Sequence, residues 1–164
     1  MEIRPASSAD AQQIAEIYNH YIATSHATFE IDPIDAHEML QRMEDGWAAD
    51  YPFLVCQEKG EIVGYAYGRQ FRTRSAYQHS IEVSVYIKPG YEGKNIGTML
   101  YEKLLDEIRT GAFHAIIAGI SLPNDASVML HEKFGFRNVA HFREVGRKFD
   151  RWIDVGYWQL MLDK

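Results

Sequence analysis

The sequence is poor in cysteine, in long apolar runs and in net positive charge. Its one cysteine, Cys56, excludes an internal disulfide and the multi-cysteine spacing of a zinc ribbon or an iron–sulfur protein. No stretch approaches the roughly 20 apolar residues that a membrane-spanning helix needs. Residues 1–30 carry Glu2, Asp10 and Glu16 and lack the apolar core of a secretory signal, so we expect a cytoplasmic location and no membrane partner.

Positive charge is in the minority, because 17 Lys and Arg residues stand against 23 Asp and Glu residues and give a formal net charge of −6. This balance disfavours a protein whose main task is to bind nucleic-acid phosphates. The seven histidines show no His-Glu-x-x-His spacing, which disfavours a metal hydrolase, and we expect no metal. Any anionic ligand must therefore be held by local geometry.

The overall composition is that of an ordinary globular protein, with 46% apolar and 24% charged residues in a 164-residue chain. This length predicts one domain over residues 1–164. Hydrophobic periodicity predicts an α/β architecture of about seven strands and four helices. The helices are expected at about 8–24, at 34–46 (ended by Gly46), after 91–98, and at 124–134. The strands are expected at about 2–6, 53–57, 62–67, 80–87, 115–120, 136–144 and 152–162. Residues 69–79 are expected to form a basic loop.

The most informative segment is the strand, glycine-containing loop and helix over residues 80–109. A helix N-terminus exposes backbone N–H groups that have no internal partner, and the helix dipole favours an anion there. Gly93 and Gly97 allow a ligand to approach the backbone closely. The spacing matches neither a Walker A loop nor a dinucleotide fingerprint, so glycine spacing alone leaves a phosphate site and an ordinary turn equally open.

Other segments carry a family resemblance. They are Val85-Tyr86-Ile87, Glu-Gly-Lys-Asn-Ile-Gly-Thr at 92–98, and the stretch from Asn124 to Phe136. With them the sequence resembles the GNAT N-acetyltransferase superfamily. Leu130-His131-Glu132-Lys133 and the tail from Gly146 to Gln159 are similar to its phosphinothricin acetyltransferase branch. The resemblance implies a mixed, mostly antiparallel sheet with a splayed central strand pair, acetyl-CoA as cosubstrate and a primary amine as acceptor.

The loop departs from the superfamily pattern at two positions. Glu92 stands where Gln or Arg is usual, and Asn95 stands where glycine is usual. Asn tolerates left-handed backbone geometry better than most residues, so we expect the loop conformation to survive at Asn95. We expect Glu92 to point away, which leaves the backbone N–H groups of 93–98 and the Lys94 ammonium to hold the ligand.

The resemblance implies two catalytic residues. Glu82 lies on the polar face of the strand over 80–87 and is the expected base for the amine; alternatively it faces solvent or pairs with an arginine of 69–74. His131 stands where many superfamily members have a tyrosine that protonates the departing thiolate; alternatively it is a hydrogen-bonded core histidine. The resemblance also implies a bulge in the strand from Val83 to Ile87, with a Val85 N–H that polarises the thioester carbonyl.

The expected ligand contacts follow from the same resemblance. Asn124 would bond the pantetheine arm or serve only as a helix cap, and Lys133 would reach the phosphates or remain solvated. The expected cofactor contacts are Val85, Tyr86, Ile87, Gly93, Lys94, Asn95, Ile96, Gly97, Thr98, Asn124 and Lys133. The expected substrate contacts are Arg72, Arg74 and Tyr77, with Phe29 and Glu30 as a wall, although arginines in such a loop are commonly just solvated.

The implied function is acetyl transfer to the amine of a small amino-acid analogue such as phosphinothricin, methionine sulfoximine or methionine sulfone. The alternatives are an acetyltransferase for another amine and a non-catalytic acyl-CoA-binding module on the same fold. The resemblance also implies a homodimer.

Overall fold

Within residues 1–163, which the computed structural model describes, the chain forms one seven-stranded sheet flanked by four α-helices. The strands are β1 (Glu2–Pro5), β2 (Phe53–Glu58), β3 (Glu61–Gln70), β4 (Ser80–Ile87), β5 (Ala115–Leu122), β6 (Arg137–Lys148) and β7 (Arg151–Met161). The helices are α1 (Ala11–Thr24), α2 (Ala36–Ala48), α3 (Ile96–Thr110) and α4 (Asp125–Lys133). None of these helices combines the length and apolar character that crossing a membrane requires.

The strand order is β1-β2-β3-β4-β5-β7-β6, and every neighbouring pair is antiparallel except β4 and β5. Strands β4 and β5 pair only from Ser80 to Glu82 against Ala115 to Ile117 and then diverge. This confirms the mixed sheet and the splayed central pair expected from the sequence. The divergence leaves the β5-facing edge of β4 open from Val83 onward.

The sheet separates two apolar clusters because successive strand residues face opposite sides. On one side, β2 residues Phe53 and Val55 pack with α1 and α2. On the other side, Leu54 and Cys56 pack with α3. Helix α3 turns one apolar face towards the sheet, since Ile96, Leu100, Leu104 and Ile108 are all buried.

Three local expectations are wrong. Helix α2 does not end at Gly46 but continues to Ala48, and the left-handed residue after it is Asp50, with φ 59°. Strand β3 extends through Arg69 to Gln70 because β4 supplies backbone partners as far as Ile81. Strand β4 pairs residue for residue with β3, so the bulge expected in β4 is absent. The register shifts lie elsewhere, between Cys56 and Gln57 of β2 and at two places along β6.

Candidate active site

Two cavities meet where β4 and β5 diverge. The wide cleft, of about 1130 Å³, lies on the α1/α2 side and includes Phe29, Glu30, Arg42, Arg69 and Glu82 in its lining. The narrow cavity, of about 60 Å³, lies towards α4 and includes Val83, Val85, Tyr101, Asn124, Ser127 and His131. Both cavities are lined by Ala27, Ser84, Tyr86, Gly119 and Ser121. We call these five residues the junction, because a group in one cavity can meet a group in the other there.

Glu82 lies beside the junction, on the face of β4 that borders the wide cleft. Its Oε1 accepts a hydrogen bond from Arg69 Nη2 at 2.9 Å, and the two residues are directly opposite each other in the β3–β4 register. The Glu82 side chain is 16% exposed and that of Arg69 is 54% exposed. A Cβ added at Gly119 would lie 3.7 Å from Glu82 Oε1, so the glycine leaves space in front of the carboxylate.

A second ionic group lies across the wide cleft. The Glu30 carboxylate accepts a hydrogen bond from the Tyr18 hydroxyl and two from the Arg42 guanidinium, at 2.6 and 3.0 Å. Arg42 holds the pKa of Glu30 below its usual value, while burial and the hydrogen bond to Glu30 raise the pKa of Tyr18 to about 12. Neither Tyr18 nor Arg42 could be assigned to the site from sequence, because the contact between them depends on how α1 packs against α2.

The turn at residues 92–98 has the predicted left-handed backbone, with φ 74° at Gly93 and φ 65° at Asn95. Helix α3 begins within this segment, at Ile96, directly after the left-handed Asn95. The Glu92 carboxylate accepts a hydrogen bond from the Gly90 N–H at 2.7 Å, so it is turned back onto its own turn. Lys94 Nζ lies 4.3 Å from the centroid of the Tyr91 ring.

The first turn of α3 also receives a cation from α4. Lys133 Nζ donates to Thr98 Oγ1 at 3.3 Å, and this contact places the ammonium beside the helix N-terminus. A Cβ at Gly97 would lie 3.3 Å from the Leu130 side chain, so the glycine permits the close approach of α3 and α4. The structure therefore brings Lys133 together with the predicted anion-binding turn.

Asn124, which caps α4, lines the narrow cavity together with Ser127 and His131 of that helix. Asn124 caps the helix, because its side-chain oxygen accepts the Ser127 N–H at 3.2 Å, and the cap leaves its amide NH₂ group unused. Val85 and Tyr86 line the same cavity, whereas Ile87 does not and its carbonyl accepts a hydrogen bond from the Tyr21 hydroxyl.

His131 is 3% exposed and both its ring nitrogens are occupied. Nδ1 lies 2.7 Å from the Ser127 carbonyl oxygen and Nε2 lies 2.8 Å from the Tyr101 hydroxyl. A carbonyl only accepts, so Nδ1 carries the proton and Nε2 accepts from Tyr101. Burial lowers the pKa of His131, which favours this neutral form. The contacts are those of a hydrogen-bonded core histidine that also borders the cavity.

The residues predicted to contact the acceptor lie in two different places. Phe29 and Glu30 line the wide cleft, but Arg72, Arg74 and Tyr77 do not. The Arg72 guanidinium instead lies over the rings of Phe71 and Tyr77, at 5.0 and 6.0 Å. Because β3 runs on to Gln70, the arginine that reaches the wide cleft is Arg69, which is part of the strand.

A family model for acetyltransferase (GNAT) domains matches residues 3–156. An L-amino acid N-acyltransferase of Escherichia coli strain K12, MnaT, is 40% identical over all of this chain and 95% of its own length. A phosphinothricin N-acetyltransferase of Streptomyces coelicolor is 39% identical over 97% of this chain and 95% of its own length. An acetyltransferase of Salmonella typhimurium, solved with its cofactor acetyl-CoA, superposes with a TM-score of 0.97 at 37% identity over 99% of this chain and 94% of its own.

Proposed function

Because this chain belongs to the GNAT acetyltransferase family, we propose that its acceptor is the α-amine of a small amino acid or amino-acid analogue. The chain is an acetyl-CoA-dependent N-acetyltransferase. The relatives named for L-amino acids and for phosphinothricin support the acceptor class. The observation that carries the proposal is the position of Glu82 beside the junction, where it faces the wide cleft next to the narrow cavity.

The open edge of β4 and the N-terminus of α3 fit an extended ligand with phosphates at one end. When bound, acetyl-CoA supplies the thioester acetyl group and, after transfer, a thiolate. We propose that the backbone of Val85, Tyr86 and Ile87 and the amide NH₂ of Asn124 hold the pantetheine arm. The phosphates are held by the N–H groups and side chains of Gly93, Lys94, Asn95, Ile96, Gly97, Thr98 and Lys133.

Glu82 is the proposed base. An α-amine is mostly protonated at neutral pH, and only the neutral amine has the lone pair that attacks a carbonyl. Glu82 takes that proton directly or through one water while Arg69 keeps the carboxylate oriented. A backbone N–H of β4 at Val85, on the edge that β5 leaves open, polarises the thioester carbonyl.

His131 is the proposed source of the proton for the thiolate. In the tautomer required by its contacts, the proton sits on Nδ1 and is donated to Ser127. Donation to the thiolate therefore requires the ring to exchange one of its contacts and to take up the N–H proton that the amine loses after attack. One proton then passes to sulfur and the ring returns to its neutral form, while Tyr101, whose pKa is raised by burial, keeps its hydroxyl proton. An exposed acid could give up its proton without breaking a contact, whereas His131 must first release one of its two hydrogen-bond partners.

The experiment is the substitution Glu82→Gln. It should lower kcat/KM for methionine sulfone by roughly 10²–10⁴-fold, because positioned proton transfer contributes about that much. Thiol release from acetyl-CoA measures the rate, and stabilisation by CoA in thermal unfolding verifies that the cofactor side is intact. The matched control is Glu102→Gln, an exposed glutamate on α3. A Glu82→Gln rate within about a factor of two of wild type would remove the base role.

We further propose that residues 1–164 act as a single catalytic domain in a cytoplasmic homodimer. Elements from α1 to β7 supply residues to the wide cleft, which supports one domain. Free Cys56 is buried and fits a reducing compartment. The edge strand β6 and the start of β7 expose the apolar side chains Phe142, Val145, Phe149 and Trp152, which a second copy of the chain would cover.

A further inference from the structure

We infer that Arg69 and Glu82 together recognise the zwitterion of an α-amino acid, with Arg69 binding the α-carboxylate and Glu82 receiving the adjacent ammonium. This inference rests on the proposed function and specifies the acceptor class through an arginine that sequence reasoning did not assign to the substrate. It makes Arg69 a specificity-determining residue.

The charged side chains of the wide cleft differ in how many of their hydrogen-bonding groups already have a partner. The lining contains Glu30, Arg42, Asp45, Arg69 and Glu82 as its fully charged side chains. Arg42 is committed, since Nε donates to Glu38 and both terminal nitrogens donate to Glu30. Arg69 donates one hydrogen bond, to Glu82, among the contacts of residues 1–163. Its guanidinium therefore offers donors for an incoming carboxylate.

The orientation of the pair matches the order of groups in an α-amino acid. The mostly buried Glu82 carboxylate lies by the junction, while the more exposed Arg69 guanidinium faces the open cleft. In an α-amino acid one carbon separates the amine from the carboxylate, so an amine at Glu82 places its carboxylate within reach of a guanidinium 2.9 Å from that glutamate. The amine then lies at the junction, beside the narrow cavity.

The same pair selects against other amines. An amine without an α-carboxylate gives up the charge-assisted hydrogen bonds that the remaining donors of the Arg69 guanidinium would make. A polyamine would place a second cation near the Arg69 guanidinium, and the two positive charges would repel each other. Selectivity for α-amino acids therefore arises from one cross-strand ion pair.

A purely structural role for Arg69 gives a different signature. If Arg69 only orients Glu82, its loss lowers the rate for every amine by the same factor. If Arg69 also binds the α-carboxylate, its loss raises KM for α-amino acids and lowers kcat/KM for them by a larger factor than for simple amines. The two roles separate when acceptors with and without the carboxylate are compared.

The test compares wild type with Arg69→Gln on methionine sulfone and on its decarboxylated amine, 3-(methylsulfonyl)propylamine. We expect KM for methionine sulfone to rise about 10- to 100-fold in Arg69→Gln. We expect the fall in kcat/KM for the decarboxylated amine to be at least about 10-fold smaller than the fall for methionine sulfone, because the decarboxylated amine loses only the orientation of Glu82. Arg69→Lys keeps the charge but loses the planar fork, and its KM for methionine sulfone should fall between those of wild type and Arg69→Gln. Arg109→Gln, at the exposed end of α3, is the matched control.

Two results would overturn the inference while leaving the proposed function intact. One is an equal loss for both acceptors in Arg69→Gln; the other is a selective loss for methionine sulfone in Arg72→Gln or Arg74→Gln in place of Arg69→Gln. If wild-type protein acetylates the decarboxylated amine but no α-amino acid, the proposed acceptor class fails, and this inference fails with it.

Discussion

Among single residues, His131 has the environment that is most sensitive to protonation. Its ring lies between Tyr101 and Phe136, edge-on to both, and its two nitrogens are held by one donor and one acceptor. A second proton on the ring would have to be placed on Nε2, against a hydroxyl that donates to it in the neutral form. The folded protein thus resists charging this side chain.

This resistance predicts a pH-dependent contribution to stability. An unfolded histidine titrates near pH 6.5, and burial lowers the pKa of folded His131. As the pH falls below about 6.5, the unfolded chain takes up a proton that the folded chain does not, so His131 makes the free energy of unfolding fall by up to about 1.4 kcal/mol per pH unit. Denaturant unfolding between about pH 5 and 7.5 should show a shallower slope for His131→Gln.

The control is His37→Gln, which removes an exposed histidine of α2. Its pH slope should match that of wild type. Identical slopes for wild type and His131→Gln would mean that folding does not alter the affinity of His131 for protons, in conflict with its burial.

Residues whose conformation is determined locally could be predicted from sequence, and residues brought together by packing could not. Asn95 is left-handed as expected, because the turn before a helix restricts the choice to glycine and a few polar residues. The alternating pattern of residues 80–87 predicts that Glu82 lies on the polar face of its strand, and this side chain lines the wide cleft. Arg42 was not identified, because a polar position on α2 does not reveal that Glu30 will lie beside it.

At the scale of elements, the segment 25–30 is held between two strands of the distant half of the sheet. Ser121 of β5 donates to the His26 carbonyl. Lys148 of β6 is 3% exposed, and its Nζ donates to the carbonyls of Ser25 and Thr28 at 2.7 and 2.8 Å. Phe29 packs over Gly146, where a Cβ would lie 2.3 Å from the ring. This segment forms one wall of the wide cleft, so strands remote in sequence determine its shape.

Lys148→Met tests this arrangement. The substitution leaves two carbonyls without their donor, which should cost about 1–3 kcal/mol in the free energy of unfolding. It should also raise KM for the amine acceptor while changing KM for acetyl-CoA little, because Thr28 and Glu30 line only the wide cleft. Denaturant unfolding and steady-state kinetics measure the two effects. Lys103→Met, on an exposed position of α3, is the control, and unchanged values in Lys148→Met would show that the segment is held by other contacts.

The boundaries of elements were less predictable than their existence. Gly46 resembles a helix end, but Met43 before it and Trp47 after it pack in the apolar cluster on this side of the sheet, and the helix continues through it. The basic character of residues 69–79 suggested a loop, yet cross-strand pairing with β4 extends β3 to Gln70. This one difference brings Arg69, and not Arg72 or Arg74, into the lining of the wide cleft. A strand end is determined by its partner, which a single sequence does not show.

At the scale of the whole molecule, a chain with a net charge of −6 concentrates exposed apolar surface at one end of the sheet. The edge strand β6 and the adjoining turn carry it, with Phe142 and Val145 also in the lining of the wide cleft. A second copy docked there would cover this surface and close one side of the cleft. The self-repulsion of two acidic chains would then be offset by apolar burial.

Sedimentation velocity tests this assembly. Wild type should sediment as a dimer at micromolar concentration, and Trp152→Glu should shift it towards monomer because a buried, unpaired carboxylate opposes association. Trp152 is 62% exposed in the isolated chain. Met129→Glu changes an equally exposed apolar residue on α4 and should remain dimeric. A wild-type monomer throughout this range would contradict the proposed homodimer.

The divergence of β4 from β5 also determines how the enzyme could change its substrate over evolution. Residues that line only the wide cleft, such as Phe29, Arg69 and Tyr157, are distinct from those that line only the narrow cavity, such as Val85, Asn124 and His131. Within residues 1–163, only the five junction residues line both cavities. Selection can therefore alter the choice of amine by substitutions on one side of the sheet while the machinery for the acetyl donor is inherited unchanged.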